Sequence, residues 1–339
     1  MKAASFSKWV GYATALLSLA AGVGAIVSQI SDRRANSHQI DSLLASEKLQ
    51  TRSNDYASAW RSLDQAEKLN PDSADVRDAQ ENLAMLWLEN ISIPEGGKFS
   101  DITDKLDPVL TKGVTVSKSP QHQADLESHL GWSYFLRSRE GSLSPDPAAS
   151  YADAVRKDTD NPYAQSMWGH WILWNHGSTD DATTHFSAAL ASNRERAFVR
   201  RLQLSAFLNS HADSADEEIV RIANAIRKEQ GTIPADIRQN IFSMYYRKLI
   251  PPDDETPHFI NAVPPGEHVA TFHWLFDNPG PGDSNVPEKT GDLSVLEEAA
   301  GQRAEAKAGY DALRRQLADR PGPLLTAAEA GSKRLAGAQ

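Results

Sequence analysis

Small and large apolar side chains recur along this chain at intervals of four and then three residues. Ala59, Leu63 and Ala66 show the spacing. Intervals of four and three place side chains on one face of an α-helix, whereas a β-strand would alternate at every second residue. The spacing therefore predicts amphipathic helices, each with one apolar face to bury.

The spacing is also repeated further along the chain. Ala182, Phe186 and Ala189 show it again, and Tyr151 and Ala154 precede Phe186 and Ala189 by 35 residues. A period of this length indicates a helix–turn–helix unit used several times. One hairpin cannot bury its own apolar face, so several hairpins are expected to stack.

The residue types at these positions resemble those of the tetratricopeptide repeat (TPR) family. The segment DYASAWRSLDQAEKLNP, which ends at Pro71, is similar to the second helix of such a repeat. The first-helix signature is matched by Leu130-Gly131 with Tyr134 and by Trp168-Gly169 with Ile172. The resemblance implies an all-α fold, a TPR-like α-solenoid of stacked helical hairpins that binds proteins or peptides.

Packing explains these residue types, because helices approach closely only where small residues meet and large residues fill the space one turn away. The residues predicted to pack within and between repeats are Ala59, Leu63, Ala66, Pro71, Leu130, Gly131, Tyr134, Tyr151, Ala154, Trp168, Gly169, Ala182, Phe186 and Ala189.

Composition changes after the repeats. We expect the repeat array over 35–249, a linker rich in proline, glycine and acid over 250–293, and C-terminal helices over 294–339. Inside the linker, HVATFHWLF is expected to dock on the array as a helix or an extended strip. Residues 293–319 are expected to form one long helix.

Residues 1–34 form a separate N-terminal region. No charged residue occurs from Trp9 to Ser31. A helix of this length spans roughly 33 Å, about the thickness of the hydrocarbon core of a bilayer. We interpret residues 9–31 as a single-pass transmembrane anchor in the cell inner membrane, with the body on the periplasmic side.

Two other interpretations of this segment remain open. The first is a cleaved signal peptide, with Val23-Gly24-Ala25 as the small-residue cleavage site. The second is a buried helix of a soluble protein, which the lack of a polar face disfavours. The flanking charges do not choose an orientation, because Lys2 and Lys8 stand against Arg33 and Arg34.

Charge and cysteine content exclude several functions. The net charge is −10, so non-specific nucleic-acid binding, which needs a basic surface, is not expected. The chain has no cysteine, which excludes disulfides, thiolate catalysis and cysteine-ligated zinc. No phosphate-cradling glycine loop or nucleophile elbow is recognisable, so we expect no cofactor.

Tryptophans make one candidate binding surface. Trp168, Trp171 and Trp174 recur every three residues. Trp168 occupies a repeat position and is expected in the core. Trp171 and Trp174 are predicted either to line a groove that binds an extended peptide or a sugar, or to pack between repeats.

Arginines make the second candidate surface, in an otherwise acidic body. They could bind a carboxylate of a partner, because the guanidinium fork suits carboxylates. Alternatively they form a solvated face paired with Asp180, Asp181 and Glu195. The four residues are Arg194, Arg196, Arg200 and Arg201.

Histidines supply the alternative function. His170, His176 and His185 lack the spacing of a metalloprotease motif, so packing or surface roles are expected for them, and no metal site is predicted. We therefore predict a membrane-anchored, non-catalytic interaction scaffold. The alternatives are an all-helical carbohydrate- or peptide-active enzyme with a Trp/His site, and self-assembly through HVATFHWLF.

Overall fold

The structure is a computed structural model that describes residues 35–141, 144–210, 214–250, 260–277 and 286–337. Within these ranges the regular elements are helices, and no strand is present. The predicted all-α fold is therefore confirmed for this part of the chain.

The chain divides into two compact units, Met1–Ser144 and Pro145–Gln339. The boundary falls in the loop RSREGSLSPDP, inside the region predicted as one array. The described helices of the first unit are α1 (35–52), α2 (Tyr56–Leu69), α3 (Ala74–Glu89), α4 (Ser100–Val116) and α5 (Pro120–Ser138).

Side-chain caps begin several helices of the first unit. Asp55, Ser73 and Ser119 each accept a hydrogen bond from a backbone N–H three residues later, at the start of α2, α3 and α5. Such caps satisfy donors that a helix end leaves unpaired, and each contributes roughly 1 kcal/mol. Residues next to each helix start therefore determine where these helices begin.

The core of the first unit follows the predicted spacing. Ala59, Leu63 and Ala66 of α2 are fully buried. Ile40 of α1 packs with Ala66 and with Val76 of α3. Helix α3 contacts α2, α4 and α5, so packing reaches both the next helix and the one after it.

Two carboxylate–imidazole pairs also join α3 to α5. Glu81 lies 2.7 Å from His122, and Glu89 lies 3.2 Å from His129, oxygen to Nε2. The glutamates are eight residues apart and the histidines seven, so each pair lies on the facing sides of the two helices. The pairs fix the register between α3 and α5.

The second unit contains the remaining described helices. They are α6 (Pro147–Lys157), α7 (Pro162–Trp174), α8 (Thr179–Ala191), α9 (Arg196–Leu208), α10 (Ala215–Lys228), α11 (Ala235–Leu249), α12 (Pro265–Phe276), α13 (Val286–Ala299), α14 (Arg303–Gln316) and α15 (Pro323–Ala336).

Stacked hairpins account for the packing of the second unit. Helix α7 contacts α8 and α9, α9 contacts α10 and α11, and α13 contacts α14 and α15. Each of these three helices therefore packs on its neighbour and on the next helix but one, as stacked helical hairpins do. The segment HVATFHWLF lies in α12, which packs on α10 and α13 and buries Val269 and Phe272.

Helices α7 and α8 approach each other closely at a glycine. A Cβ added to Gly169 would lie 3.0 Å from the ring of Phe186 and 3.1 Å from the carbonyl oxygen of Ala182. A Cβ here would be tighter than ordinary van der Waals contact, so Phe186 or the α8 backbone would have to shift by a few tenths of an ångström. Phe186 and Ala182 are themselves fully buried.

The other residues of the repeat signatures differ in environment. Tyr151, Ala154 and Ala189 are fully buried. Leu130 and Gly131 are also buried, Tyr134 and Trp168 are partly buried, and Pro71 is exposed in the turn between α2 and α3. The signature therefore includes both core positions and turn positions.

The prediction of one helix over 293–319 is wrong. Helix α13 ends at Ala299, and α14 begins at Arg303. Gly301 has a left-handed φ of 77°, and its backbone N–H donates a hydrogen bond to the carbonyl oxygen of Glu298. The backbone N–H of Gln302 donates to the carbonyl oxygen of Glu297. These are the two bonds of a Schellman motif, which ends a helix at a left-handed residue.

Residues other than glycine end further helices in the same way. Asn54, His176 and Gln230 have positive φ values of 60°, 58° and 56°, at the ends of α1, α7 and α10. In each case this residue and the next one donate to carbonyls of the last turn. His176, considered above as a site residue, is thus placed by the termination of α7.

The predicted anchor, residues 9–31, lies outside the described residues, as do parts of the predicted linker. None of the described helices is both long enough and apolar enough to cross a membrane.

Candidate functional site

The tryptophans of α7 differ in exposure. Trp174 is 42% exposed at the end of the helix, and Trp171 is partly buried. Trp168 is partly buried and stacks on His185 of α8, with ring centroids 4.5 Å apart and planes at 30°. Trp168 thus packs between helices, while Trp174 presents an aromatic surface to solvent.

The histidines near these tryptophans also lie in different surroundings. His170 is buried, whereas His185 hydrogen-bonds through Nδ1 to Oε1 of Gln165 at 2.6 Å. Burial lowers the pKa of His185, and the negative charge of Asp181 opposes the shift only in part. Among the described residues, no group of three or more His, Asp or Glu side chains could hold a metal ion.

Internal carboxylates occupy the arginine surface. Arg194 binds Asp158 at 2.8 Å, and Arg200 binds Glu229 at 2.9 Å. Arg196 binds the same Glu229 carboxylate. Arg194, Arg196 and Arg200 therefore pair with Asp158 and Glu229, whereas the sequence suggested Asp180, Asp181 and Glu195.

The Glu229 carboxylate is held by both guanidinium groups at once. Burial would raise the pKa of Glu229, but hydrogen bonds from Arg200 and Arg196 outweigh it and lower the pKa. The guanidinium of Arg201 lies 5.7 Å from the ring centroid of Phe198. Much of the positive charge of this surface is therefore already neutralised by the chain itself.

The first unit has an open cleft where α2 begins, α3 ends and α4 begins. Its volume is about 620 Å³. Tyr56 and Trp87 stack in its wall, with centroids 6.3 Å apart and planes at 27°. Ile93, Pro94 and Ile102 add apolar surface. The cleft therefore has an aromatic and apolar lining, as a groove for a peptide side chain requires.

Two lysines line this cleft with their charge unpaired. Lys98 and Lys105 are exposed, and neither forms an ion pair within the described part of the chain. The two acidic residues of the lining are engaged in local caps: Asp55 accepts from the N–H of Ser58, and Asp101 accepts from the N–H of Lys98. The ammonium groups of the two lysines are thus available to an incoming carboxylate.

A smaller cavity of about 230 Å³ lies between α11 and α13 of the second unit. Its α11 residues repeat at helical spacing on one face of that helix. The lining consists of Gln239, Phe242, Ser243, Tyr246, Arg247, Glu288, Lys289 and Asp292.

Asp292 is the unusual residue of this cavity. It is 1% exposed, and neither carboxylate oxygen has a hydrogen-bond partner in the described chain. Burial, with a further contribution from the charge of Glu288, raises the pKa of Asp292 to about 8. Lys289 is also buried, and its ammonium nitrogen lies 4.3 Å from the ring centroid of Phe242.

Sequence reasoning missed both the cleft and the cavity. Lys98 and Lys105 are seven residues apart, and Glu288 and Asp292 are four apart, so helical spacing could have grouped each pair. The sequence gave no sign that the lysines would remain unpaired or that Asp292 would be buried. Those properties depend on the helices that pack against them.

The comparisons with known proteins add little to this picture. No protein-family model and no curated protein matches the sequence. A solved structure of a tetratricopeptide repeat protein from Parabacteroides merdae is similar, with 11% identity and a TM-score of 0.40, covering 88% of this chain and 99% of that chain. The function is therefore argued from the geometry of this chain.

Proposed function

We propose that this chain is a non-catalytic interaction scaffold, a TPR-like α-solenoid that binds a segment of another protein. Residues 9–31 tether it to the inner membrane, with the body in the periplasm. Tethering raises the local concentration of a bound partner without any additional contact. The stacked helical hairpins of each unit support this proposal, because such arrays present long grooves to their partners.

The observation that carries the proposal is the cleft of the first unit. It joins an aromatic wall, Tyr56 and Trp87, to the unpaired ammonium groups of Lys98 and Lys105. This combination matches an acidic peptide segment that also carries an apolar or aromatic side chain. Aromatic anchors supply much of the energy at such interfaces, and charge complementarity supplies specificity and association rate.

The tryptophans of α7 offer a second contact surface in the other unit. Trp174 is exposed and Trp171 is partly buried beside it, so a partner can reach the first ring directly. The binding role of Trp171 and Trp174 stays a prediction. The arginine surface is less suited to this role, since a partner would have to displace Glu229 from Arg196 and Arg200.

A peptide-display selection against the intact chain tests the cleft. We expect enrichment of peptides that combine Asp or Glu with an aromatic residue. The double variant Lys98→Glu, Lys105→Glu should weaken their binding at least about tenfold, because each lost charged hydrogen bond contributes on the order of 1.5–3 kcal/mol. Lys112→Glu, on the helix that carries Lys105 but outside the cleft, is the control.

Two results would contradict the proposal. One is a selection that yields no acidic peptides, and the other is equal binding by the double variant and the parent chain. The tether needs its own measurement, namely a reporter fused after residue 339. If the fused reporter is of a kind that works only in the cytoplasm and it is active, a periplasmic body is refuted.

A further inference from the structure

A carboxylate in α13 is buried without a hydrogen-bond partner. Asp292 is 1% exposed, and both of its carboxylate oxygens lack a partner in the described chain. Folded proteins satisfy nearly all buried polar groups, so an unsatisfied carboxylate needs a physical explanation. Because Asp292 lines the cavity between α11 and α13, a molecule bound there can supply the missing donors.

Further hydrogen-bond acceptors surround the same space. Glu288 lies one helical turn before Asp292, lines the cavity, and forms no ion pair within the described residues. Tyr246 of α11 faces both carboxylates: burial raises the pKa of its phenol first, and the charges of Glu288 and Asp292 raise it further. The lining of this cavity therefore includes two carboxyl groups and a phenol.

The cations nearest to Asp292 do not neutralise it. Lys289, three residues earlier, directs its ammonium over the ring of Phe242 and forms no hydrogen bond to Asp292. Arg247 is exposed and forms no ion pair in the part of the chain described. The carboxyl groups of Asp292 and Glu288 are thus left for a ligand from outside.

We propose that this cavity binds the ammonium group of a primary amine, held by the carboxylates of Asp292 and Glu288 and the phenol of Tyr246. An ammonium carries three N–H donors and can satisfy acceptors on several sides at once. A volume of about 230 Å³ accommodates such a group with a short aliphatic chain, and Phe242 gives that chain an apolar wall. The amine is a free alkylamine or the side chain of a lysine in a bound peptide.

Calorimetric titration of the full chain with n-butylammonium tests this site. We expect saturable binding that weakens at least about tenfold in Asp292→Asn, because the amide has no charge and offers one acceptor oxygen. Asp319→Asn, the same chemical change at an exposed position, should leave binding unchanged. Affinity should rise with pH up to about 8, since the ammonium is bound by the ionised carboxylate.

Comparator ligands identify what the site recognises. n-Butanol keeps the chain but lacks the charge, and tetramethylammonium keeps the charge but lacks N–H donors, so neither should bind. A blocked Gly-Lys-Gly peptide tells the two sources of the ammonium apart. Binding by the peptide indicates a lysine side chain, and binding by the free amine without the peptide indicates a small molecule.

Three outcomes would overturn the proposal: no saturable binding of n-butylammonium, equal affinity for n-butanol, or full binding by Asp292→Asn. The variant is expected to fold, because it removes a buried charge and keeps the side-chain shape. The site lies in the second unit and the peptide cleft in the first. Failure of one proposal therefore leaves the other standing.

Discussion

The buried carboxylate of Asp292 gives the folded chain a specific dependence on pH. Burial, followed by the charge of Glu288, raises its pKa to about 8 from an ordinary value of 3.8. Between these two pH values the folded chain holds a proton that the unfolded chain has released. The contribution of this group to stability is complete below about pH 4 and is lost as the pH rises to about 8.

The size of the effect follows from the same pKa values. Each pH unit between the ordinary pKa and the raised pKa of Asp292 removes about 1.4 kcal/mol from the free energy of unfolding. The loss amounts to about 4 kcal/mol at neutral pH. Asp292→Asn removes this loss because the amide does not ionise. Its buried N–H groups cost roughly 1–3 kcal/mol, so we expect the variant to be more stable at pH 7 by about 1–3 kcal/mol.

Urea unfolding followed by circular dichroism measures this difference. The free energies of unfolding of parent and variant should diverge as the pH rises from about 5 to about 8, with a slope close to that of one proton. Asp319→Asn, at an exposed position, should follow the parent at every pH. Parallel curves for the parent and Asp292→Asn, or a variant that is less stable at pH 7, would refute the reasoning.

Three further substitutions test the packing and the helix ends by thermal unfolding. Gly169→Val should destabilise by about 1–3 kcal/mol through overpacking against Phe186, and an unchanged Tm would contradict the close approach of α7 and α8. Gln230→Gly should stabilise the folded chain by up to about 1 kcal/mol, because glycine adopts the left-handed conformation without strain but at some entropic cost. A lower Tm would argue against the Schellman motif at the end of α10. Glu229→Gln should cost less than about 1 kcal/mol, since its ion pairs are partly exposed, and a larger loss would show that they hold α10 to α9.

Helical periodicity was the part of the fold that local sequence could predict. The spacing of Ala59, Leu63 and Ala66 marks the buried face of α2, and the glycine at 169 marks the approach of α7 to α8. These features are local, because one helix face determines them. The break between α13 and α14 was missed although Gly301 is a helix-ending residue, since an isolated glycine is also tolerated inside a helix.

The cavity around Asp292 could not be predicted from the residues near it in the sequence. In the sequence, Glu288 and Asp292 resemble a solvated acidic pair on a helix surface. Asp292 is buried and Glu288 is partly buried because α11, some forty residues earlier, packs its Tyr246 face against α13. An acidic pair on an exposed helix has the same sequence pattern, so only the pairing of the helices distinguishes the two cases.

The two charged surfaces show how stacking decides which charge a partner can use. By sequence, the four arginines from Arg194 to Arg201 are the denser cluster, and Lys98 and Lys105 are two isolated residues. In the folded chain, Asp158, 36 residues before Arg194, and Glu229, 33 residues after Arg196, neutralise much of the dense cluster. The two carboxylates that line the cleft cap helices instead, and neither ammonium group forms an ion pair in the described part of the chain, although Lys105 also feels the charge of Asp64. Charge that remains unpaired after packing, and not local charge density, is therefore our reason for proposing an acidic partner at the lysines.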